Sequence, residues 1–221
     1  MMLNLWDKGL VMSRVSSLLF HGWWVAAMVW SMTCWADPVR VRVVDASGQP
    51  LPDAVVSVYG VARTAAPSEV TMDQRDLSFV PRVLAVRKGG SVRFVNGDRV
   101  NHHVYSFSPV QRFDLRLKRG AGGESILFDN AGTVVIGCNI HDWMLGFIRV
   151  VDSDYFAVTD ANGEVVLEVP GPWPKGATVR AWHPQIAETD GEIRGALAAQ
   201  VVLTTLRTLD PNPWAAAPGY R

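Results

Sequence analysis

The sequence predicts an all-β fold, and three observations carry that reading. After residue 37 no long stretch repeats its apolar residues with the 3.6-residue period of a helix. Short runs of alternating or β-branched residues recur instead. Gly, Pro, Asn and Asp separate them at close intervals, which is the turn chemistry of a sandwich or barrel.

Taken in order, PVRVRVVD (38–45) alternates Val with Arg, the pattern of a half-buried strand. AVVSVYG (54–60) is a β-branched run stopped by Gly, and GSVRFVNGD (90–98) alternates until an Asn-Gly turn. HVYSF (103–107), ESILFD (124–129), GTVVIGC (132–138) and GFIRVVD (146–152) follow at turn-sized intervals. GEVVLEVP (163–170), ATVRAWHP (177–184) and AAQVVLTTL (198–206) complete the set, and DPNPWAAAPGYR, covering the 211–221 tail, has no strand pattern. Gly-rich GAGGE (120–124) has no helix behind it, so it reads as a hairpin turn and not a phosphate loop.

Composition narrows the function. The chain has 221 residues, 48% hydrophobic and 19% charged, enough to bury a sizeable core. Its 21 basic and 21 acidic residues cancel and the basic ones are spread out, which excludes the basic stripe of a nucleic-acid binder. VQRFDLRLKRG sets Arg112, Arg116 and Lys118 around Asp114, a solvated strand face.

The N-terminus differs from the rest. Lys8 and Arg14 precede an apolar run from Val15 to Met32, and Cys34-Trp35-Ala36 places small residues at the −3 and −1 positions before Asp37-Pro38. This predicts a secretory signal over residues 1–36, cut after Ala36, and a periplasmic or otherwise exported product. An uncleaved anchor is the alternative; Ser31, Met32 and Thr33 make a poor lipidation signal for Cys34. Cleavage leaves Cys138 as the one cysteine of the mature chain, so an internal disulfide is excluded. In an oxidising compartment a solitary thiol needs burial or a metal to shield it.

GCNIHDWM (137–144) supplies the metal alternative, with Cys138, His141 and Met144 at steps of three. Thiolate, imidazole and thioether are a soft donor set suited to copper, whereas zinc takes four tetrahedral donors, usually with more Cys and no Met. Alternation in GTVVIGC puts Cys138 on the face of Val134 and Ile136, and a short loop can then curl His141 and Met144 toward it. A second His must come from His102, His103 or His183; His102 and His103 are adjacent on a strand, so only one of them faces the site.

With those residues in view, the region 67–152 resembles a plastocyanin/amicyanin-type cupredoxin. FVNGDRVNHHV sets Asn96 and His102 in the register of that family's first histidine, and C-x-x-H-x-x-M is its short-loop pattern. NHHVYSFS and FDNAGTVVIGCNIHDWMLGFIRVVD are similar to the methylamine-utilisation-type cupredoxin-like proteins, a periplasmic group. The resemblance implies a Greek-key β-sandwich holding one type 1 copper ion on His102, Cys138, His141 and an axial Met144. His103 stands where the family has Asn, which puts the hydrogen bonding of the Cys loop in question. Asp142 and Trp143 stand where short loops prefer Pro and apolar residues. Asp142 either stabilises an oxidised metal or bonds loop amides, and Trp143, Leu145 and Phe147 form either an apolar docking rim or core.

The flanks carry a second resemblance. VRVVDASGQPLPDAVVSVYG and TDANGEVVLEVPGPWPKGATVRAWHP resemble the two halves of a carboxypeptidase-regulatory-like, transthyretin-type β-sandwich. Residues 37–66 and 155–210 are therefore expected to form one discontinuous domain, with the cupredoxin-like region inserted; a single decorated sandwich is the alternative.

Three functions compete: a blue copper protein carrying single electrons between transient redox partners, a copper delivery or sensing protein without redox cycling, and a metal-free scaffold. No nucleophile–base pair in the sequence marks an enzyme. Replacing Met144 by Leu keeps side-chain volume and removes a weak axial donor. The blue colour is expected to persist while the reduction potential rises; voltammetry of the copper-loaded variant checks this, and an unchanged potential removes Met144 from the ligand set.

Overall fold

A computed structural model describes residues 36–120, 122–186 and 191–209. Residues 1–35 of the expected signal, with its Cys34, and the 211–221 tail lie outside them. Among the described residues the chain forms sixteen strands and no helix. The all-β reading therefore holds.

Two of four sheets build the sandwich around Cys138. One orders its strands β4 (Ser78–Val80), β3 (Glu69–Arg75), β6 (Gly90–Asn96) and β9 (Glu124–Phe128). The other orders β5 (Val83–Arg87), β11 (Leu145–Val151), β10 (Gly132–Cys138), β7 (His102–Ser106) and β8 (Phe113–Leu117). Neighbours are mostly non-consecutive in sequence, and β3–β6 and β5–β11 pair parallel, as chain crossing between facing sheets requires. Met72, Phe94, Phe128, Val104, Ile136 and Ile148 fill the space between them.

The polar EVTMDQR of β3 carries a weak strand signal, yet parallel pairing with β6 makes it a strand. GAGGE corrects the hairpin reading. β8 pairs with β7 and β9 with β6, so this segment carries the chain from one sheet to the facing one. Gly123 has φ 90°, and a Cβ there would meet the Phe94 carbonyl oxygen at 2.6 Å, so glycine lets the crossing pass against β6.

The flanking segments share the other two sheets. β1 (Ala36–Val44) runs antiparallel to β13 (Glu164–Pro170) and parallel to β16 (Gln200–Thr204). β2 (Val55–Tyr59) lies between β12 (Phe156–Val158) and β14 (Thr178–Trp182), with β15 (Ile193–Ala196) at the edge. Val39, Val41 and Val43 of β1 face Val56, Val58, Val179 and Ala181 in a second core.

A third core joins the two pairs of sheets: Val55 and Trp182 from one side, Val83, Ala85, Phe147 and Val151 from the other. The two middle sheets are thus covered on both faces, which is why β2 and β11 are apolar at consecutive positions instead of alternating. At the rim, Arg149 lies 5.5 Å above the Trp182 ring and 2.6 Å from Glu192, and Arg180 reaches the same carboxylate at 3.4 Å.

His183 follows Trp182 into this junction. Burial first, and the charge of Arg82 second, pull its pKa down to about 4 against a backbone hydrogen bond at Pro52. The folded imidazole stays neutral where a free one, with an ordinary value near 6.5, takes a proton. Between those values the unfolded chain binds more protons, so the folded state loses stability as pH falls from about 6.5 toward about 4. Denaturant midpoints at pH 7 and pH 5 are expected to differ less in His183→Gln than in the parent; an equal drop would mean this histidine does not set the slope.

Candidate metal centre

Two neighbouring strands set the site. β10 points Val134, Ile136 and Cys138 into the core, and β7 points His102, Val104 and Ser106. Their antiparallel register pairs Cys138 with Val104, which leaves His102 one same-face step beyond. Cys138 Sγ lies 3.7 Å from His102 Nδ1. The loop after β10 then turns back, with the Met144 amide donating to the His141 carbonyl at 2.9 Å, and His141 Nδ1 comes to 3.6 Å from the same sulfur. One donor atom from each of His102, Cys138 and His141 falls within 4.8 Å of the others.

These distances fit a metal. Donors bound to one ion at about 2.0–2.1 Å for nitrogen and about 2.3 Å for sulfur stand roughly 3.6–3.8 Å apart between tetrahedral and trigonal angles. Hydrogen bonds from and to the thiol can also span these contacts, with the sulfur donating to one imidazole and accepting from the other, but both would be weak. The other side of the His102 ring is already engaged: Nε2 lies 2.8 Å from Asp98 Oδ2. A carboxylate there takes an Nε2–H and leaves Nδ1 as a free lone pair toward the sulfur. The residues present therefore suit a thiophilic ion.

Asp98 is the site residue that the sequence reading missed. Burial works against its charge, but the hydrogen bond from His102 and the amides of Leu77 and Asp76 outweigh it and hold the carboxyl below its usual range. Asn96, expected on the family pattern, is buried beneath the loop: Nδ2 donates to the Val100 and Leu117 carbonyls, and its Oδ1 accepts from the Asp98 amide. It shapes the 97–101 loop that delivers His102. A carboxylate four residues before a candidate His was visible in NGDRVNH, but nothing in the spacing turned it toward the ring.

His103 faces the other way. Its Nε2 lies 2.7 Å from Asp114 Oδ1 and its Nδ1 lies 3.4 Å from Asn139 Nδ2. Its carbonyl accepts the Asn139 amide at 2.9 Å, so backbone at this position ties down the Cys loop. His183 lies outside the three-residue cluster. Met144 is 3% exposed and packs in the same core cluster as Cys138, while Asp142 is exposed.

The expected apolar rim divides. Phe147, with Leu145 packed alongside, joins the core between the sandwiches. Trp143 stays 43% exposed with its ring 5.6 Å from that of His141, and Ile140 beside it is 55% exposed.

No protein-family model matches the chain, and no curated protein does either. Among solved structures it is similar to the Cu-containing nitrite reductase (NirK) from Thermus scotoductus SA-01, at 30% identity and a TM-score of 0.36 over 41% of this chain. The match spans 24% of the length of that reductase. A novel purple cupredoxin from Nitrosopumilus maritimus matches at 20% identity and a TM-score of 0.33, over 37% of this chain and 98% of its own. A mutant of amicyanin in its reduced Cu(I) form at pH 4 matches at 23% and 0.35, over 45% of this chain and 99% of its own. Each likeness covers less than half of the chain, so the donor set rests on the side-chain geometry.

That geometry separates the adjacent histidines. His102→Ala is expected to abolish a coloured copper site, whereas His103→Ala retains copper with a shifted potential. Titration with Cu(II) followed by visible absorption checks both variants, and the reverse pattern would exchange their roles.

Proposed function

We propose that this chain is an exported, periplasmic type 1 copper protein of the methylamine-utilisation-like kind, which carries single electrons between transient redox partners. The observation that supports it most is the convergence within 4.8 Å of one buried thiol and one imidazole from paired strands with a second imidazole from the loop after β10. Met144 completes the proposed ligand set as the weak axial donor, in line with the cupredoxin motif. The flanking sheets are proposed as a carboxypeptidase-regulatory-like domain that supports this centre.

Bound copper would supply a one-electron couple with a ligand set between the geometric preferences of its two states. The chain supplies the rest. Cys138 and His102 sit in a packed core, 3% and 1% exposed, where close packing resists ligand movement. The Cys138 side chain is buried in the same core cluster as Met144 and Ile136, and the half-buried His141 is the donor nearest to solvent. Beside it, Trp143 and Ile140 offer a small apolar surface, suited to brief contact with a redox protein. Four protein donors would leave no position open to a substrate, so the reading is of a carrier and not an enzyme.

The second reading is copper delivery or sensing without redox cycling. The placement of His141 on a loop, half-buried, favours it, because a donor that can swing aside permits hand-over of the ion.

Residues 37–221, loaded with Cu(II), are expected to show an intense thiolate-to-copper band in the visible that is absent from Cys138→Ser, together with a reversible one-electron wave. Copper uptake without that band would favour delivery or sensing. No uptake would leave a buried thiol in a scaffold.

A further inference from the structure

The carboxylate behind His102 is itself held from two directions. The Asp76 amide donates to Asp98 Oδ1 at 2.8 Å and the Leu77 amide to Oδ2 at 3.1 Å, the same oxygen that faces His102 Nε2. From its own loop, the Asp98 amide donates to Asn96 Oδ1 at 3.0 Å. Asp98 is thus fixed at both backbone and side chain, and little freedom remains for the ring that it meets.

The two donating amides come from an unusual place. Asp76 and Leu77 are the loop between Arg75 and Ser78, the last paired residues of β3 and β4. Their φ angles are 51° and 57°, so both occupy the left-handed region, as a two-residue hairpin turn demands. Gly and Asn are the residues that enter that region readily, and leucine is not one of them. The side chain of Leu77 packs against the core that holds Cys138, and its amide is spent on Asp98. Strain of this kind persists where surrounding contacts over-determine it, and it collects at functional sites.

We propose that Asp98, gripped by the Asp76–Leu77 turn, is the positioning residue of the metal centre: it fixes the His102 tautomer before any metal binds, and its charge lowers the reduction potential. The mechanism has two parts. An Nε2–H held by a carboxylate leaves Nδ1 unprotonated and aimed at the Cys138 sulfur, so the inner ligand is preformed. The negative charge, passed through the hydrogen bond, makes the imidazole a stronger donor and favours the more positive state of a bound ion. The part on the potential rests on the copper reading above; the part on the tautomer does not.

Two substitutions separate these parts in the full chain. Asp98→Asn deletes the charge and, with its oxygen in the Oδ2 position, keeps an acceptor for Nε2–H and the Leu77 amide while giving up the Asp76 amide's bond. Asp98→Ala deletes both charge and acceptor. Asp114→Asn is the control, since it removes a carboxylate from His103, which faces away from the sulfur. In the metal-free protein, long-range 15N–1H NMR is expected to show His102 as the Nε2–H tautomer in the parent and in Asp98→Asn, and as a mixture in Asp98→Ala. With copper, Asp98→Asn is expected to raise the reduction potential, Asp114→Asn to move it less, and Asp98→Ala to bind the ion about 10–100-fold more weakly.

The Nε2–H tautomer retained as the sole form in Asp98→Ala, or a potential that Asp98→Asn leaves unmoved, overturns the corresponding part. If Asp98→Ala does not fold, by circular dichroism, the potential of the isosteric Asp98→Asn decides alone. If the parent takes up no copper, the copper reading fails and the tautomer measurement still decides whether Asp98 presets His102.

Discussion

The register between β7 and β10 is the constraint on which the rest depends. Cys138 opposes Val104, and the two-residue repeat of a strand then sets His102 on the same face, with its Nδ1 3.7 Å from the sulfur. A slip by one residue would turn His102 outward and bring His103 in, since every side chain of a slipped strand changes face. Much of the surrounding structure bears on that register. Val104, Ile136 and Phe94 lock the inner face, and the Asn139 amide on the His103 carbonyl carries the pairing one step past the last strand residue. The Cys loop can turn back sharply because its start is pinned to β7.

A register is only as firm as the sheet containing it, and here the sheet is covered twice. Its inner face meets the β3–β6 sheet, while its outer face at β5 and β11 meets β2 and β14. Trp182, 2% exposed, and Phe147 form the centre of that outer contact, their rings 6.0 Å apart. Burying side chains of this size contributes roughly 1.5–3 kcal/mol each. The Arg149–Glu192 pair at the rim adds less net stability, because a mostly buried ion pair loses much of its attraction to desolvation. Its geometry is nonetheless specific: Arg149 comes from β11 and Glu192 from beside β15, so the pair fixes how one sandwich sits on the other. Rigidity at β11 reaches the centre directly, since β11 begins at Leu145, one residue after Met144.

What was legible in the sequence was what period and spacing encode. Alternation in GTVVIGC put Cys138 on the core face, and the opposite orientations of adjacent strand residues separated His102 from His103. The turn residues divided the chain into strands. What was not legible depends on contacts between distant segments. Asp98 meets His102 within one loop, but its hold comes from Asp76 and Leu77 on another hairpin, and no spacing rule links the two. GAGGE looked like a hairpin because local chemistry describes a turn and not the sheet that follows it. Trp143 and Phe147 are both large apolar residues near a metal motif; only the second sandwich, which buries Phe147 and leaves Trp143 out, tells them apart.

The two histidines at the sulfur are unlike each other, and the difference suits a carrier. His102 lies on a strand, is 1% exposed, and has its far nitrogen on a fixed carboxylate. His141 lies on a loop, half-buried, with its ring against the exposed Trp143. An electron carrier has two needs that conflict on one side chain. Its donor strength must not vary as partners come and go, which asks for burial and a fixed hydrogen bond. Its couple must also come close to a partner, which asks for an exposed edge. On the proposed carrier reading, placing the first need on β7 and the second on the loop after β10 would let a partner touch His141 without disturbing the buried His102 ring.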